Sequence, residues 1–562
     1  MVLKGFAPGT PETDNVPTFL GLRGIRLSWA IGFAASTGFL LFGYDQGVLG
    51  SLYTLPSWIE QFPEIDTTTK VANASSSESI LQGLVTGVYE LGCFLGAISQ
   101  LYLGNKLGRR KNIWIGSVIM TIGCIGCTAS YNLAMLFVFR VILGIGNGMH
   151  TAAIPVWQSE CSPPHKRGML IMVEGAMITG GIAMSYWIDF AFYWTSPSDA
   201  SWRVPLAFQL LLILPTFVTI WLPESPRWLM LRDREEDARA AIAALDNVPM
   251  DDAGVDVKLH EIRSSLAVVK SSKFTDIFTN GPERNFHRTA LGFTSQMFQQ
   301  ITGINLITYY IGKTLEEQLG FDQVTSRIVA AANGTEYFLA SWIAVFVIEK
   351  MGRRKLMLWG AAGQTISMII LSIMGAPALT SKGSGPAVVS TVFFFLFNSF
   401  FAFGWLGMTW LYPAEITPLS IRAQANGIST SANWLFNFMV VMVTPYMQEN
   451  IGHHTYTVFA ALNFAILIST FFIFPETSGR SLEEISSIFS VSSKINPFDV
   501  VLKERKTPRR YDTHGNLINE DFTIADIKED IEGGAHKEKN HDEVVDTRDA
   551  SPSPHSESAS SR

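Results

Sequence analysis

Apolar residues in this sequence fall into repeated blocks whose length matches the width of a lipid bilayer. A helical crossing takes roughly 20 predominantly apolar residues. Charged residues make up only 16% of the 562 residues, against about 25% in soluble proteins. The sequence therefore predicts an all-α membrane protein. We predict twelve transmembrane helices, at approximately 28–49, 81–103, 112–130, 133–154, 169–190, 205–222, 287–310, 326–348, 355–375, 388–411, 424–446 and 457–474.

The distribution of Lys and Arg predicts the orientation of these helices. Basic clusters at 106–111, 166–167, 350–355 and 422 all fall in connections that follow even-numbered spans. Because an excess of Lys and Arg marks cytoplasmic loops, we predict that both termini are cytoplasmic. The sequon at Asn73 then lies in the first outer loop, where glycosylation can occur.

The chain divides into two helical halves with polar segments around them. The tail from about residue 490 is polar, charged and rich in Ser, which is the composition of a disordered segment. The predicted organisation is a cytoplasmic N-terminal segment 1–27, a six-helix bundle 28–222, a cytoplasmic linker 223–286, a second six-helix bundle 287–474 and a cytoplasmic tail 475–562.

Three motifs of the first half recur in the second at an offset of about 250 residues. This repetition indicates duplication of a six-helix unit. Two such halves with a site between them form the architecture of alternating-access carriers. The paired motifs are Leu107–Lys111 with Met351–Lys355, Glu160 and Arg167 with Glu415 and Arg422, and Pro223–Arg227 with Pro475–Arg480.

Charged residues at the predicted cytoplasmic helix ends repeat in both halves. Ion pairs among them would hold the halves together on the cytoplasmic side in the outward-open state and would break for release inside. The alternative is ordinary surface pairing, which contributes little energy. The predicted gating residues are Arg109, Arg110, Glu160, Arg167, Arg353, Arg354, Glu415 and Arg422.

Seven motifs, in this order, resemble the sugar porter family of the major facilitator superfamily over about residues 28–490. They are Phe42–Gly47, Gly108–Lys111, Arg140–Gly146, Pro223–Trp228, Gln299–Asn305, Tyr412–Glu415 and Pro475–Thr477. Three further stretches resemble a fungal subgroup that contains glycerol/proton symporters as well as hexose and pentose transporters. These stretches are Tyr89–Phe94, Ile154–Glu160 and Tyr186–Phe190. The resemblance implies the major facilitator fold.

Asp45 is a carboxylate within the first predicted span. Placing it there costs about 2.5–3.5 kcal/mol, so it needs a partner or a proton. Arg140 in the fourth span is the natural cation, and such a pair can load a proton outside and lose it inside. The resemblance implies the same roles in the proton-coupled members of the family. The alternative is a static buried ion pair.

Three amide side chains, Gln299, Gln300 and Asn305, lie in the seventh predicted span. Their donor and acceptor heads match sugar hydroxyls. The alternative is that they join helices by hydrogen bonds within the bilayer. The resemblance implies that these residues line the sugar site, together with Trp410, Asn433, Trp434 and Asn437.

One position departs from the family pattern at the predicted sugar site. Glu174-Gly175 stands where most sugar porters carry an Asn-Gln pair in the fifth span. This change removes an amide contact and suits a smaller or altered ligand. Glu174 and Glu336 are also charges within spans, and each is either a second proton site or a side chain that reaches a helix end.

These observations predict a monomeric carrier in the plasma membrane that takes up a hexose or pentose together with a proton. Symport of glycerol or another polyol is the first alternative. A facilitator, an exporter of a small metabolite and a non-transporting sugar sensor are further alternatives. We expect no cofactor, no metal site, no nucleic-acid partner and no enzymatic activity, because no nucleophile–base set, metal cluster or phosphate loop is visible outside the spans.

Overall fold

The computed structural model describes residues 16–67, 76–162, 167–270, 273–380, 385–480, 482–493 and 495–508. Regular structure within these ranges is helical. The first helices are α1 Gly24–Leu52, α2 Pro56–Gln61, α3 Ser76–Leu107, α4 Arg109–Thr128, α5 Leu133–Glu160, α6 Arg167–Tyr193 and α7 Ala200–Phe217. Three helices of the linker follow, α8 Pro226–Leu231, α9 Glu235–Asp246 and α10 Ala253–Lys270. The remaining helices are α11 Asn285–Ile301, α12 Ile304–Lys313, α13 Gln323–Met351, α14 Arg353–Thr380, α15 Gly385–Phe401, α16 Met408–Ile416, α17 Arg422–Ile451, α18 His454–Ile473, α19 Leu482–Val491 and α20 Asp499–Lys506.

Ten helical segments of the described chain are long and apolar enough to cross a membrane. The two predicted spans without such a segment are 287–310 and 424–446. The first is broken into α11 and α12, with Gly303 at φ +90° between them. The second is α17, which is 30 residues long but carries buried polar residues that lower its hydropathy. The count of twelve spans and the cytoplasmic position of the termini stay predictions.

The helices pack as two groups. Helices α1 and α3–α7 contact one another and form the N-terminal group, and helices α11–α18 form the C-terminal group. The main contacts between the groups are α3 with α17, α6 with α13 and α1 with α12.

Glycines set how closely α3 and α5 approach. A Cβ added at Gly92 would lie 2.4 Å from the carbonyl oxygen of Val141, and one added at Gly144 would lie 2.1 Å from that of Tyr89. Because neither position has room for a side chain, the two backbones are in direct contact, as small residues allow in membrane helices. This close packing places Arg140 on α5 beside the backbone of α3.

The linker forms a small core of its own, in which α8, α9 and α10 bury apolar residues such as Trp228 and Ile242. The predicted start of disorder at about residue 490 is corrected by α20, which buries Val500 and Val501. Arg480 also binds the Glu504 carboxylate at 3.0 Å. The segment therefore has an apolar face and an ion pair, and its average composition predicts neither. Residues 509–562 lie outside the described chain.

Candidate functional site

Asp45 and Arg140 form an ion pair between α1 and α5. Arg140 Nη1 lies 2.9 Å from Asp45 Oδ2 and 3.0 Å from Oδ1, and both side chains are fully buried. Gln209 on α7 donates a third hydrogen bond to Asp45 Oδ1 at 3.1 Å. The predicted partners are therefore in contact, and removing either charge would leave the other uncompensated, which is strongly destabilising in a buried site.

Arg140 also binds α3. Its Nε donates to the Val85 carbonyl at 3.3 Å and its Nη2 to the Thr86 carbonyl at 3.5 Å. The guanidinium lies over the ring of Tyr89, 4.7 Å from its centroid. One side chain thus connects the carboxylate of α1 to a turn of α3, so that a change of charge at Asp45 alters the force on α3.

The predicted amides form one buried cluster in the C-terminal group. Gln299 Nε2 donates to the carbonyls of Trp405 and Leu406, each at 3.0 Å. These carbonyls belong to a π-helical turn, Ala402–Leu406, between α15 and α16. A π-turn lacks regular α-helical bonding, and this one offers backbone acceptors to α11.

Amides from α12 and α17 complete the cluster. Asn433 Nδ2 donates to Gln299 Oε1 at 2.7 Å, and Asn305 Nδ2 donates to Gln300 Oε1 at 2.5 Å and to Asn437 Oδ1 at 2.8 Å. Asn437, one helical turn after Asn433 on α17, belongs to the same cluster. The interhelical bonding that was the alternative to sugar binding is therefore present in this conformation.

Several polar atoms of this region have no hydrogen-bond partner within the described residues. They are the Nε1–H of Trp434, Nδ2 of Asn437 and Oδ1 of Asn433. Buried polar groups are normally paired, so this set of donors and acceptor is suited to a ligand that supplies both kinds of group.

Two tryptophans of the C-terminal group meet α1 of the N-terminal group. Trp434 packs edge-on against Phe42 with ring centroids 5.0 Å apart, and Trp410 packs edge-on against Phe39 at 6.2 Å. Trp434 is fully buried and Trp410 is half-buried. Both predicted aromatic residues therefore lie where the two groups meet.

The C-terminal end of α1 and the start of α3 are joined to the C-terminal group by a set of contacts that we call the latch. Lys313 Nζ donates to Gln82 Oε1 at 2.7 Å, and Arg327 Nη2 donates to Thr54 Oγ1 at 2.9 Å and to the Ser51 carbonyl at 3.3 Å. All five residues are buried. The sequence predicts none of these contacts, because a Lys or Arg near a span boundary also fits an ordinary helix end.

The groups also touch at the opposite end of the helices. A Cβ added at Gly407 would lie 2.3 Å from Met172 Sδ, and one added at Gly427 would lie 2.3 Å from a methyl carbon of Leu101. Together with the latch, these contacts close both sides of the amide cluster. The conformation is therefore an occluded one.

The predicted gating charges form equivalent clusters in the two groups. Arg109 Nε binds Glu160 Oε2 at 3.0 Å, and Arg353 Nη2 binds Glu415 Oε1 at 2.8 Å. We expected ion pairs between the halves, but each of these pairs joins helices of the same group, which corrects that interpretation for this conformation. The reason is geometric, because the turn before α4 lies beside the end of α5, and the turn before α14 lies beside the end of α16.

Two further carboxylates hold the starts of α4 and α14. Glu224 accepts hydrogen bonds from the backbone N–H groups of Arg109 and Arg110 at 3.2 Å. Glu476 does the same for Arg353 at 2.8 Å and Arg354 at 3.1 Å. Negative charge at a helix N-terminus is favourable. Burial raises the pKa of Glu224, and the backbone N–H groups of Ser225 and Arg110 oppose that shift.

The other predicted charges differ in their surroundings. Arg422 binds the Thr417 carbonyl at 3.0 Å, whereas the side chain of Arg167 lies outside the described structure. Glu174 is buried on α6, and its Oε1 has no partner among the described residues. Glu336 is half-buried and accepts a hydrogen bond from Ser399.

Glu90 is a buried acid that the predicted site omits. It lies on α3 with no exposed surface and accepts a hydrogen bond from the Tyr309 hydroxyl of α12. The signal in the sequence is a Glu in the middle of the second predicted span. The predicted glycosylation site, Asn73, lies outside the described residues. The described chain holds no group of three His, Cys, Asp or Glu suited to a metal ion.

Comparisons with known proteins identify the family of this chain. The Sugar transporter STL1 of Saccharomyces cerevisiae is 38% identical over 478 residues, which cover 84% of this chain and 82% of that protein. The MFS-type transporter oryC of Aspergillus oryzae is 36% identical over 513 residues, covering 89% of this chain and 93% of that protein. These relatives are named as transporters and not as enzymes, which confirms that class.

A solved structure of the proton:xylose symporter XylE, bound to 6-bromo-6-deoxy-D-glucose, matches with a TM-score of 0.70 and 25% identity, covering 82% of this chain and 99% of that one. The inward-open conformation of the xylose transporter XylE from E. coli matches with a TM-score of 0.64, 25% identity and the same coverage. The profile of the family described as "Sugar (and other) transporter" matches residues 31–489. The chain therefore belongs to this sugar transporter family of the major facilitator superfamily.

Proposed function

We propose that this protein is a proton-coupled carrier that takes up a monosaccharide by alternating access. The observation that carries the proposal is the fully buried Asp45–Arg140 pair, which is bound to α3 through Arg140. A carboxylate in this position costs energy unless it is paired or protonated. It is therefore the natural place for a transported proton to bind.

Protonation of Asp45 would remove the charge that holds Arg140. The guanidinium would keep its bonds to the carbonyls of α3 and would be free to move with that helix. A ligand shifts a conformational equilibrium only by its differential affinity for the two states. The proton meets this condition here, because Asp45 is charged and paired in one arrangement and neutral in the other.

The amide cluster is the proposed sugar site. Amides both donate and accept hydrogen bonds, as sugar hydroxyls do, and a bound sugar would satisfy Trp434 Nε1, Asn437 Nδ2 and Asn433 Oδ1. The named properties of similar proteins agree, since they include hexose transporters of yeasts and a proton:xylose symporter. Hexose and pentose are therefore the first substrates to test.

Uptake would be driven by the proton. A membrane potential of 100 mV supplies about 2.3 kcal/mol for one charge, which corresponds to an accumulation ratio of roughly 50. We place the carrier in the plasma membrane with both termini cytoplasmic, acting as a monomer. Asn73, in the first outer loop of that topology, is the candidate glycosylation site.

Symport of glycerol or another polyol is the second candidate. It is favoured by Glu174-Gly175, because this pair stands where sugar porters usually offer two amides to the sugar. The buried Glu174 carboxyl lies one residue before Gly175, whose Cβ position is 3.5 Å from the Cα of Gly407. A site with fewer amide contacts suits a ligand with fewer hydroxyls.

The test is uptake of labelled glucose, xylose and glycerol by cells that lack their own carriers, with external pH recorded. Native protein is expected to accumulate at least one of the three while the medium becomes alkaline. Asp45→Asn is expected to lose both effects at equal surface expression. Uptake that persists in Asp45→Asn and ignores pH would indicate a facilitator, and no uptake of any of the three would favour a sensor or an exporter.

A further inference from the structure

Glu90 connects the two helix groups through a carboxyl that has no contact with solvent. Its Oε1 accepts the hydroxyl hydrogen of Tyr309 on α12, and its Oε2 has no partner within the described chain. A single neutral donor compensates a buried carboxylate poorly, whereas a protonated carboxyl needs much less compensation. The surroundings of Glu90 therefore fit a carboxyl that carries a proton in the occluded conformation.

The turn of α3 that precedes Glu90 also binds α12. Thr86 Oγ1 accepts a hydrogen bond from Tyr310 at 3.3 Å, and Tyr310 also donates to the Val441 carbonyl of α17 at 3.0 Å. Tyr53 at the end of α1 lies 2.5 Å from the same Thr86 oxygen. Two consecutive tyrosines thus dock α12 on one face of α3, at Thr86 and at Glu90.

This docking site adjoins the ion pair of the N-terminal group. The Thr86 carbonyl accepts a hydrogen bond from Arg140. The ring of Tyr89, the residue before Glu90, lies under the Arg140 guanidinium. The region contains two carboxyls, Asp45 and Glu90, but one guanidinium. Such a dry cluster is electrically neutral when it holds one proton. The titratable and charged groups around Glu90 are Asp45 and Tyr53 of α1, Tyr89 and Cys93 of α3, Arg140 of α5, and Tyr309 and Tyr310 of α12.

We propose that Glu90 is the second carboxyl of the proton site and links the proton to the position of α12. In the occluded state Asp45 is ionised and paired with Arg140, and the one proton resides on Glu90. Loss of that proton leaves a carboxylate without a cation, which favours separation of α12 from α3 and entry of water. This inference rests on the proposed proton symport and assigns it a residue that acts together with Asp45.

The test uses full-length protein in liposomes with a potential of about 100 mV, inside negative. Labelled glucose, xylose and glycerol are the probes, and the best one for native protein is retained. Glu90→Gln keeps an acceptor for Tyr309 but cannot bind the proton. We expect native protein to approach an accumulation ratio of roughly 50 and Glu90→Gln to fall to simple equilibration. Exchange of labelled for unlabelled probe, which needs no net proton movement, should fall much less.

Three further variants separate a loss of proton coupling from damage to the structure. Glu90→Asp, which restores an acid, should recover part of the accumulation with an altered pH profile, and Tyr309→Phe should slow exchange while keeping a coupled proton. Glu174→Gln removes another buried acid, on α6. Accumulation by Glu90→Gln at the native ratio and pH profile would overturn the inference, as would loss of coupling in Glu174→Gln alone. Proton symport itself would stand in either case, provided that native protein accumulates the probe and Asp45→Asn does not.

Discussion

The latch can be weakened without changing the size of a side chain. Thr54 Oγ1 accepts a hydrogen bond from the buried guanidinium of Arg327 across the boundary between the groups. Thr54→Val replaces this hydroxyl by a methyl group and leaves the Ser51 carbonyl in place as the other acceptor. The substitution acts on the occluded state, because in a conformation open on the latch side water solvates both partners.

The expected magnitude follows from the kind of bond that is lost. A hydrogen bond to a charged group contributes about 1.5–3 kcal/mol, and each 1.4 kcal/mol changes an equilibrium constant about tenfold. Thr54→Val should therefore raise the population open on the latch side, relative to the occluded one, by about 10- to 150-fold. If the native protein is mostly occluded, this shift makes the open form readily observable.

Spin labels on the latch side can measure this shift. Tyr131 is 69% exposed in the N-terminal group and Asn450 is exposed in the C-terminal group. Cysteines at these two positions can be labelled selectively, because all four native cysteines are buried. Pulsed electron paramagnetic resonance should then show a larger fraction of long distances in Thr54→Val.

The matched control is Thr391→Val, since the Thr391 hydroxyl binds only the Ala387 carbonyl of its own helix, at 2.9 Å. This variant should keep the native distance distribution. A Thr54→Val distribution identical to the native one would refute the assignment of the latch as a determinant of the occluded state. An equal change in both variants would show instead that loss of a threonine hydroxyl at either position loosens the helix packing.

Two further predictions concern the helix starts and the amide cluster. Glu224→Ala and Glu476→Ala each leave buried backbone N–H groups without their acceptor, so each should cost about 1–3 kcal/mol and lower the melting temperature in detergent; unchanged melting would contradict this role. Asn433→Leu removes the amide that donates to Gln299 and should raise the half-saturating sugar concentration about tenfold or more, with less effect on the maximal rate. Uptake measured against sugar concentration tests this, with the exposed Asn450→Leu as control, and an unchanged half-saturating concentration would exclude Asn433 from the site.

The sequence predicts the Asp45–Arg140 pair because charges in an apolar span are conspicuous and costly. Only one basic residue, Arg140, lies in the middle of a predicted span of the first half, so the partner could be chosen before any geometry was known. The amides of α11 and α12 are recognisable for the same reason. The contacts of Gln299 with the carbonyls of Trp405 and Leu406 are not recognisable, because a π-helical turn leaves no clear pattern in the sequence.

Contacts between the groups lie beyond what the sequence can specify. Glu90 and Tyr309 are separated by 219 residues, and Lys313 and Gln82 by 231. Each of these residues has an acceptable explanation by itself, as an unusual charge or a helix end. For the predicted gating charges, the sequence indicates the role but not the pairing. Their repetition indicates a shared role, but it does not reveal that each ion pair closes within one group.

The two predicted spans that fall short of a simple apolar helix are the ones that carry the amide cluster. Gln299 and Asn305 lie in α11 and α12, and Asn433 and Asn437 lie in α17. The polar residues that we propose bind the sugar also lower the hydropathy of these segments, and the break at Gly303 interrupts the first of them. Departure from the ideal span is therefore itself a signal of the site.

Helix α12 is the element through which proton, sugar and latch can act on one another. Asn305, Tyr309 and Lys313 follow at intervals of four residues and so share one face of this ten-residue helix. They contact the amide cluster, Glu90 and Gln82 in turn. The opposing acceptors on α3, namely Gln82, Thr86 and Glu90, also follow at intervals of four and run antiparallel to them. Gly303 separates α12 from α11, so the two segments are not one continuous helix. A charge on Glu90, a sugar at Asn305 or an opened latch at Lys313 would each change how well α12 docks on α3, and we propose that this common dependence couples the three events.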